Sequence, residues 1–250
     1  MRIALVVLLA VSMATSLAVA DNRTNVSTGA KLVIGNVLPE PPGDVVAFWS
    51  QAYDVATCTA WSSEEKYEHD CLSADDFLSE SGDTIVMVDW WGHERDFPAG
   101  EGVPEIDEFI IRFYENDTTG VYQVPGTTIY EEHIFDFTVD YLGISEKYYY
   151  SCEIPGGFVP NPGEKYWLSI VAVNPFLAAN QQWYWYECDP EDYWGAEAPL
   201  KSEFWGYPEW TPWSVRNYDN HHVEMAFILY SRGDTPVEDK SWGQIKAMFR

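Results

Sequence analysis

Thr84-Ile85-Val86-Met87-Val88-Asp89-Trp90-Trp91 is the stretch on which the fold class turns. With the two-residue period of a strand, Ile85, Met87 and Trp91 fall on one face and Val86, Val88 and Trp90 on the other. Both faces are largely apolar, which marks a central strand covered from both sides. The same period recurs in short runs divided by Gly, Pro, Asn and Asp. Phe109–Tyr114 turns Phe109, Ile111 and Phe113 inward against Arg112 and Tyr114, and His133–Tyr141 sets Phe135, Phe137, Val139 and Tyr141 against Asp136, Thr138 and Asp140. Tyr148–Ile154, Tyr166–Val173, Gln182–Cys188 and Val223–Tyr230 complete the set. With no helix-period stretch between them, these runs predict an all-β domain, an antiparallel β-sandwich of jelly-roll type.

Working outward, the domain is expected over residues 45–230, a length at which sandwiches and barrels form one unit. Residues 1–20 read as a signal peptide: Arg2 starts it, Ile3 to Ala10 are apolar, and Ala18-Val19-Ala20 offers a small-residue cleavage site. The apolar run is too short to span a bilayer. Residues 21–44 are polar and end in Pro39-Glu40-Pro41-Pro42-Gly43, a leader rather than a packed element. Residues 231–250 form a tail after the Gly233-Asp234-Thr235-Pro236 break, where Trp242, Ile245 and Phe249 could line one side of a short helix. The protein is therefore expected outside the cytoplasm, secreted or at the cell surface.

Export also frames the cysteines. Cys58, Cys71, Cys152 and Cys188 are an even set with no CxxC spacing, which favours two disulfides over a metal site. Three pairings are open, and Cys58–Cys71 with Cys152–Cys188 is preferred. The charge is lopsided, 14 Lys+Arg against 40 Asp+Glu. Such a field repels phosphate backbones and anionic lipid surfaces, which disfavours nucleic-acid and membrane-surface partners. No segment after residue 20 is long and apolar enough for membrane insertion, and the expected partner is an extracellular glycan or a surface protein.

Several strand blocks carry a resemblance. Ala74-Asp75-Asp76-Phe77-Leu78, Asp89-Trp90-Trp91-Gly92, Phe109-Ile110-Ile111-Arg112-Phe113-Tyr114, Tyr166-Trp167-Leu168-Ser169-Ile170 and Met225-Ala226-Phe227 resemble, in that order, an uncharacterised family of bacterial secreted domains. The resemblance spans roughly residues 45–230. It implies a β-sandwich with no assigned chemistry and brings no catalytic residue with it.

Candidate sites follow from residue type and spacing. Asp75 and Asp76 at a strand edge could give carboxylates to calcium, and Asp189, Glu191 and Asp192 are a second such group, though neither has the spacing of a calcium loop. His93, His133 and the His221-His222 pair lie near acids, but no zinc spacing occurs, so solvated loop histidines are expected. No nucleophile motif is present, and no pair among the acids stands out as a glycosidase pair. The densest segment is Gln181–Trp213. One of the pairs Trp183/Trp185 and Tyr184/Tyr186 should be core, while the stretch from Asp189 to Trp213 reads as a long loop. There Trp194, Trp205, Trp210, Trp213 and Tyr207 could stack on sugar rings while Asp192 and Glu209 accept hydroxyls, or the aromatics could cap one open end of the sandwich. The first reading is a secreted non-catalytic module, with a structural or adhesive surface domain second and a secreted glycoside hydrolase third. Calcium is the one cofactor considered.

Overall fold

The computed structural model describes residues 32–34, 43–51, 53, 59–65, 70–96, 106–142, 147–173, 181–217 and 221–232. Its strands are β1 (Leu32–Ile34), β2 (Val45–Gln51), β3 (Ala60–Ser62), β4 (Glu64–Glu65), β5 (Leu72–Ser73), β6 (Asp75–Ser79), β7 (Ile85–Asp96), β8 (Phe109–Asp117), β9 (Val124–Ile134), β10 (Thr138–Tyr141), β11 (Tyr148–Phe158), β12 (Glu164–Val173), β13 (Gln181–Tyr186), β14 (Pro199–Ser202), β15 (Tyr207–Pro212) and β16 (Phe227–Arg232). Among the described residues, helical structure is confined to a 3-10 turn at Pro190–Asp192 and one short helix, α1, at Trp213–Asn217. No helix among the described residues is long and apolar enough to cross a membrane.

β7 is the centre of the first sheet, as its two apolar faces require. One edge pairs with β11, and the other is shared between β16 along its first half and β13 along its second. Beyond these lie β2 on β16, β3 on β13, β10 on β11, and β1 on the far edge of β10. In the second sheet β12 pairs with β8, which pairs with β9, while β6 and β4 share the other edge of β12. β5, β14 and β15 make a small third sheet. Pairing is antiparallel except for β1–β10 and β12–β4.

The two large sheets meet through aromatic rings. Phe109 of β8 makes edge contacts with Trp90, Tyr150 and Trp183 of the facing sheet at centroid distances of 5.0, 5.2 and 5.2 Å. Trp90 stacks flat on Tyr150 at 5.5 Å. A second group, Phe77, Phe113, Phe158 and Tyr166, packs the same way toward the opposite end. Each such ring, fully buried, contributes about 1.5–3 kcal/mol relative to exposure. Gly92 shows how tight this interior is. A Cβ there would lie 2.5 Å from Cζ2 of Trp183, so the indole packs directly on the β7 backbone.

The sandwich and the inward Phe109, Ile111 and Phe113 agree with the strand periodicity, as does the buried pair Trp183 and Trp185. Other expectations are corrected. His133–Tyr141 is not one strand: β9 ends at Ile134 in the second sheet, β10 begins at Thr138 in the first, and Phe135–Phe137 carries the chain across. The crossing interrupts the alternation, so Phe137 is buried while Phe135 is 59% exposed. Ile85 joins Val88 and Trp90 in the main core, not Met87 and Trp91, because register shifts on both neighbours of β7 turn it over. Within the leader, Leu32–Ile34 is strand β1. The tail beyond Arg232 and the signal-peptide residues lie outside the described residues.

Disulfide support is also corrected. Cys71, Cys152 and Cys188 are buried free thiols, and Cys58 lies outside the described residues. Cys152 points into the main core, whereas Cys188 belongs to a separate cluster with Trp91, Tyr149, Tyr186 and Ala226, so the expected Cys152–Cys188 bond does not form. Cys71 donates its Sγ hydrogen to the Ser62 carbonyl at 3.4 Å. Burial pushes all three thiols up, which keeps them protonated and unreactive. Alkylating the unfolded protein without reductant is expected to label Cys71, Cys152 and Cys188; peptide mass spectra showing any of them in a disulfide would contradict this.

Asp89, on the face of β7 opposite Val88 and Trp90, is buried and accepts hydrogen bonds from the hydroxyls of Tyr149 and Tyr230. Burial raises its pKa above the usual carboxylate value, outweighing the two tyrosine hydrogen bonds. A raised native pKa means the folded state holds the proton longer than the unfolded chain, so stability falls as pH climbs from about 4 through the native value. Asp89→Asn should flatten that fall by up to about 1.4 kcal/mol per pH unit, read from denaturant midpoints across the range.

Candidate functional site

β6 begins at the seam where the second sheet meets β2 and the approach to β16. There the alternation of β6 points Asp75 toward the interior, while Asp76 lies opposite Trp167 on the outer side of β12. Asp75, Asp76 and Glu224 are all fully buried, and one carboxylate oxygen from each lies within 4.8 Å of the others. Glu224 precedes Met225, whose isolated bridge to Glu187 holds that segment in place.

Each carboxylate has partners. Asp75 Oδ2 accepts from the backbone N–H of Met225 at 2.5 Å and from Nε2 of Gln51 at 3.3 Å, and its Oδ1 accepts from the Asp76 N–H at 2.8 Å. Glu224 Oε2 accepts from Gln51 Nε2 at 3.1 Å, and its Oε1 meets Nε2 of His222 at 2.5 Å. Asp76 Oδ2 takes two donors, Nζ of Lys165 and the Ala196 N–H, each at 2.7 Å. Asp76 Oδ1, equally buried, has no hydrogen-bond partner. Gln51 is itself oriented, since its Oε1 accepts from the Trp49 indole at 3.1 Å.

Burial dominates the electrostatics. It drives Asp75 well above the usual carboxylate range, helped by the charges of Glu224 and Asp76. Glu224 is pushed up to about 9, again first by burial. Asp76 is raised by burial against the opposing pull of Lys165. One lysine among three sealed carboxylates leaves an excess of negative charge, which the fold has to neutralise with protons or a cation. The carboxylates are closed to a substrate of any size.

The segment over this cluster was expected to be a loop but is largely ordered structure. Asp189 caps the 3-10 turn, accepting from the Glu191 N–H at 3.0 Å, so Asp189, Glu191 and Asp192 form a turn and not an ion loop. After Gly195 and Ala196 the chain enters the β14–β15 hairpin. That hairpin distributes the proposed sugar-binding residues. Trp213 is core at 0% exposure, 4.6 Å from the Trp61 ring. Trp205 is half-buried, one face covered by the Arg216 guanidinium at 3.9 Å. Trp194 is half-buried against Trp49 at 4.8 Å, with Lys165 5.0 Å over its ring. Trp210 is half-buried edge-on to Tyr114 at 5.8 Å. Tyr207 and Asp192 are half-buried and Glu209 is exposed. The level platform is therefore not formed: the aromatics divide between a Trp205–Trp213 group and a Trp194–Trp210 side, and the capping reading holds for Trp213.

Among the described residues the histidines are not grouped for zinc. His133 pairs with Glu108, which raises its pKa, His221 with Glu187 at 2.9 Å, and His93 stacks on Tyr184 at 5.0 Å. Glu224, Gln51 and Lys165 were missed in the sequence. Glu224 did carry a signal, an acid inside the apolar run Val223–Tyr230.

These features define an all-β, sandwich-like domain with a sealed carboxylate cluster beneath a tryptophan-bearing hairpin. The chain belongs to the family of the domain of unknown function DUF7901, which matches residues 47–230. No curated protein matches the chain.

Gly195 ties hairpin to cluster. Its φ is +84°, and a Cβ would fall 2.0 Å from Asp76 Oδ1. Gly195→Ala is expected to cost about 1–3 kcal/mol for backbone strain alone, with the clash in addition. A denaturant midpoint shift worth less than about 0.5 kcal/mol would show that Asp76 can move aside.

Proposed function

We propose that this protein is an exported, non-catalytic binding module that holds carbohydrate on the side of the sandwich carrying Trp194 and Trp210. One observation carries the reading. Half-buried Trp210, packed edge-on to Tyr114, and half-buried Trp194, packed on Trp49 and Lys165, each keep some ring surface open. Exposed Glu209 neighbours Trp210 in β15, and the Ala196 N–H pins the segment to Asp76, so apolar ring surface and a hydroxyl acceptor are offered at little ordering cost. The signal-peptide pattern of residues 1–20 supports export. The sealing of Asp75, Asp76 and Glu224 supports binding over hydrolysis, because a glycosidase pair must flank a bound sugar. Trp213 is withdrawn from the site by its burial, and Trp205 serves mainly as packing for Trp213 and Arg216.

A glycan-array screen followed by calorimetry tests this. Trp210→Ala should weaken binding of the selected glycan by more than about 1 kcal/mol with a small loss of stability. Trp213→Ala should instead cost about 3–5 kcal/mol of folding energy. Retention of full affinity by both Trp194→Ala and Trp210→Ala, or no glycan bound by the wild type, would end the proposal.

A further inference from the structure

The carboxylate cluster of Asp75, Asp76 and Glu224 stands apart from the carbohydrate reading. We propose that it is a calcium site, with these three side chains as ligands, locking the hairpin approach and the approach to β16 onto the start of β6.

Four observations carry this. The ligand atoms are hard oxygens already gathered within 4.8 Å, the first requirement for a divalent ion of this class. Asp76 Oδ1 is buried without a hydrogen-bond partner, whereas Oδ2 of the same carboxylate takes both Lys165 and Ala196, so the side chain has one oxygen satisfied by protein and one left for a ligand. Three carboxylates face one ammonium, and a divalent cation balances what remains. The chain also passes Gly195 so close to Oδ1 that any side chain there would displace it, which preserves that oxygen's position. Calcium takes its oxygens in flexible geometry, so carboxylate oxygens spread over 4.8 Å suit it better than magnesium, which demands a near-ideal octahedron at short distance. His222 and Gln51 each touch a ligand carboxylate and act as positioning residues.

The three ligands come from β6 and from the segment just before β16, with Ala196 held through Asp76. Binding at this seam should therefore stabilise the whole fold, since the unfolded chain presents no such cage. The full-length purified protein, stripped with EDTA, is unfolded thermally with and without calcium chloride. Calcium at a hundred times its Kd should raise Tm by about 5–10 °C. Terbium titration supplies a readout independent of stability: luminescence sensitised by Trp49 and Trp194 should saturate with one site and be displaced by calcium. Glu224→Gln and Asp75→Asn should each lose both responses, whereas Glu187→Gln, whose carboxylate is bonded to His221, should keep them. An unchanged Tm together with no terbium signal in the wild type overturns the site, as does a full response in both ligand variants. Because no glycan is present in either assay, failure here leaves the carbohydrate reading to its own test.

Discussion

The structure depends on satisfying one buried acid, the carboxyl group of Asp75. It lies where the second sheet, β2 and the approach to β16 converge, away from water that could solvate it. An unsatisfied carboxylate there would cost more than most single contacts in the core can return. Gln51 at the end of β2, the Met225 N–H before β16 and the Asp76 N–H are all committed to it. Those bonds fix the relation of three strands that are far apart in the chain. Glu224 and Asp76 extend the arrangement to His222, Lys165 and the hairpin.

Aromatic packing does the work that crosslinks were expected to do. Trp90, Tyr150, Phe109 and Trp183 meet across the sheets in edge and stacked geometries, a directional contribution beyond simple area burial. A chain of this size buries enough surface to do without disulfides, which small exported domains need because their cores are thin. The three described cysteines then behave as small apolar side chains, buried where the local chain turns inward.

The outer faces explain why the tryptophans of the hairpin do not form a platform. The outer side of the second sheet carries Tyr114 and Trp167, large rings that must themselves be covered. Trp210 and Ala196 cover them, and Trp213 fills the space beside Trp61. What remains at the surface is the remainder of this covering, a mixed edge of half-buried rings with Glu209.

Period-two alternation and the absence of helical period were enough, by themselves, to determine an all-β sandwich with Thr84–Trp91 at its centre, because a strand's side chains alternate whatever it pairs with. The same local rule identified Phe109, Ile111 and Phe113 as core and left open which of the pairs Trp183/Trp185 and Tyr184/Tyr186 is buried, and residue type alone marked Asp75 and Asp76 as unusual. Local rules do not carry across a change of sheet or a register shift, so the exposure of Phe135 and the inward turn of Ile85 were decided by tertiary structure. So were the cysteine distances and the assembly of the acid cluster. Asp75 and Glu224 are far apart in the sequence and meet only because β6 and the approach to β16 close the same seam, and proximity of that kind has no signature along the chain.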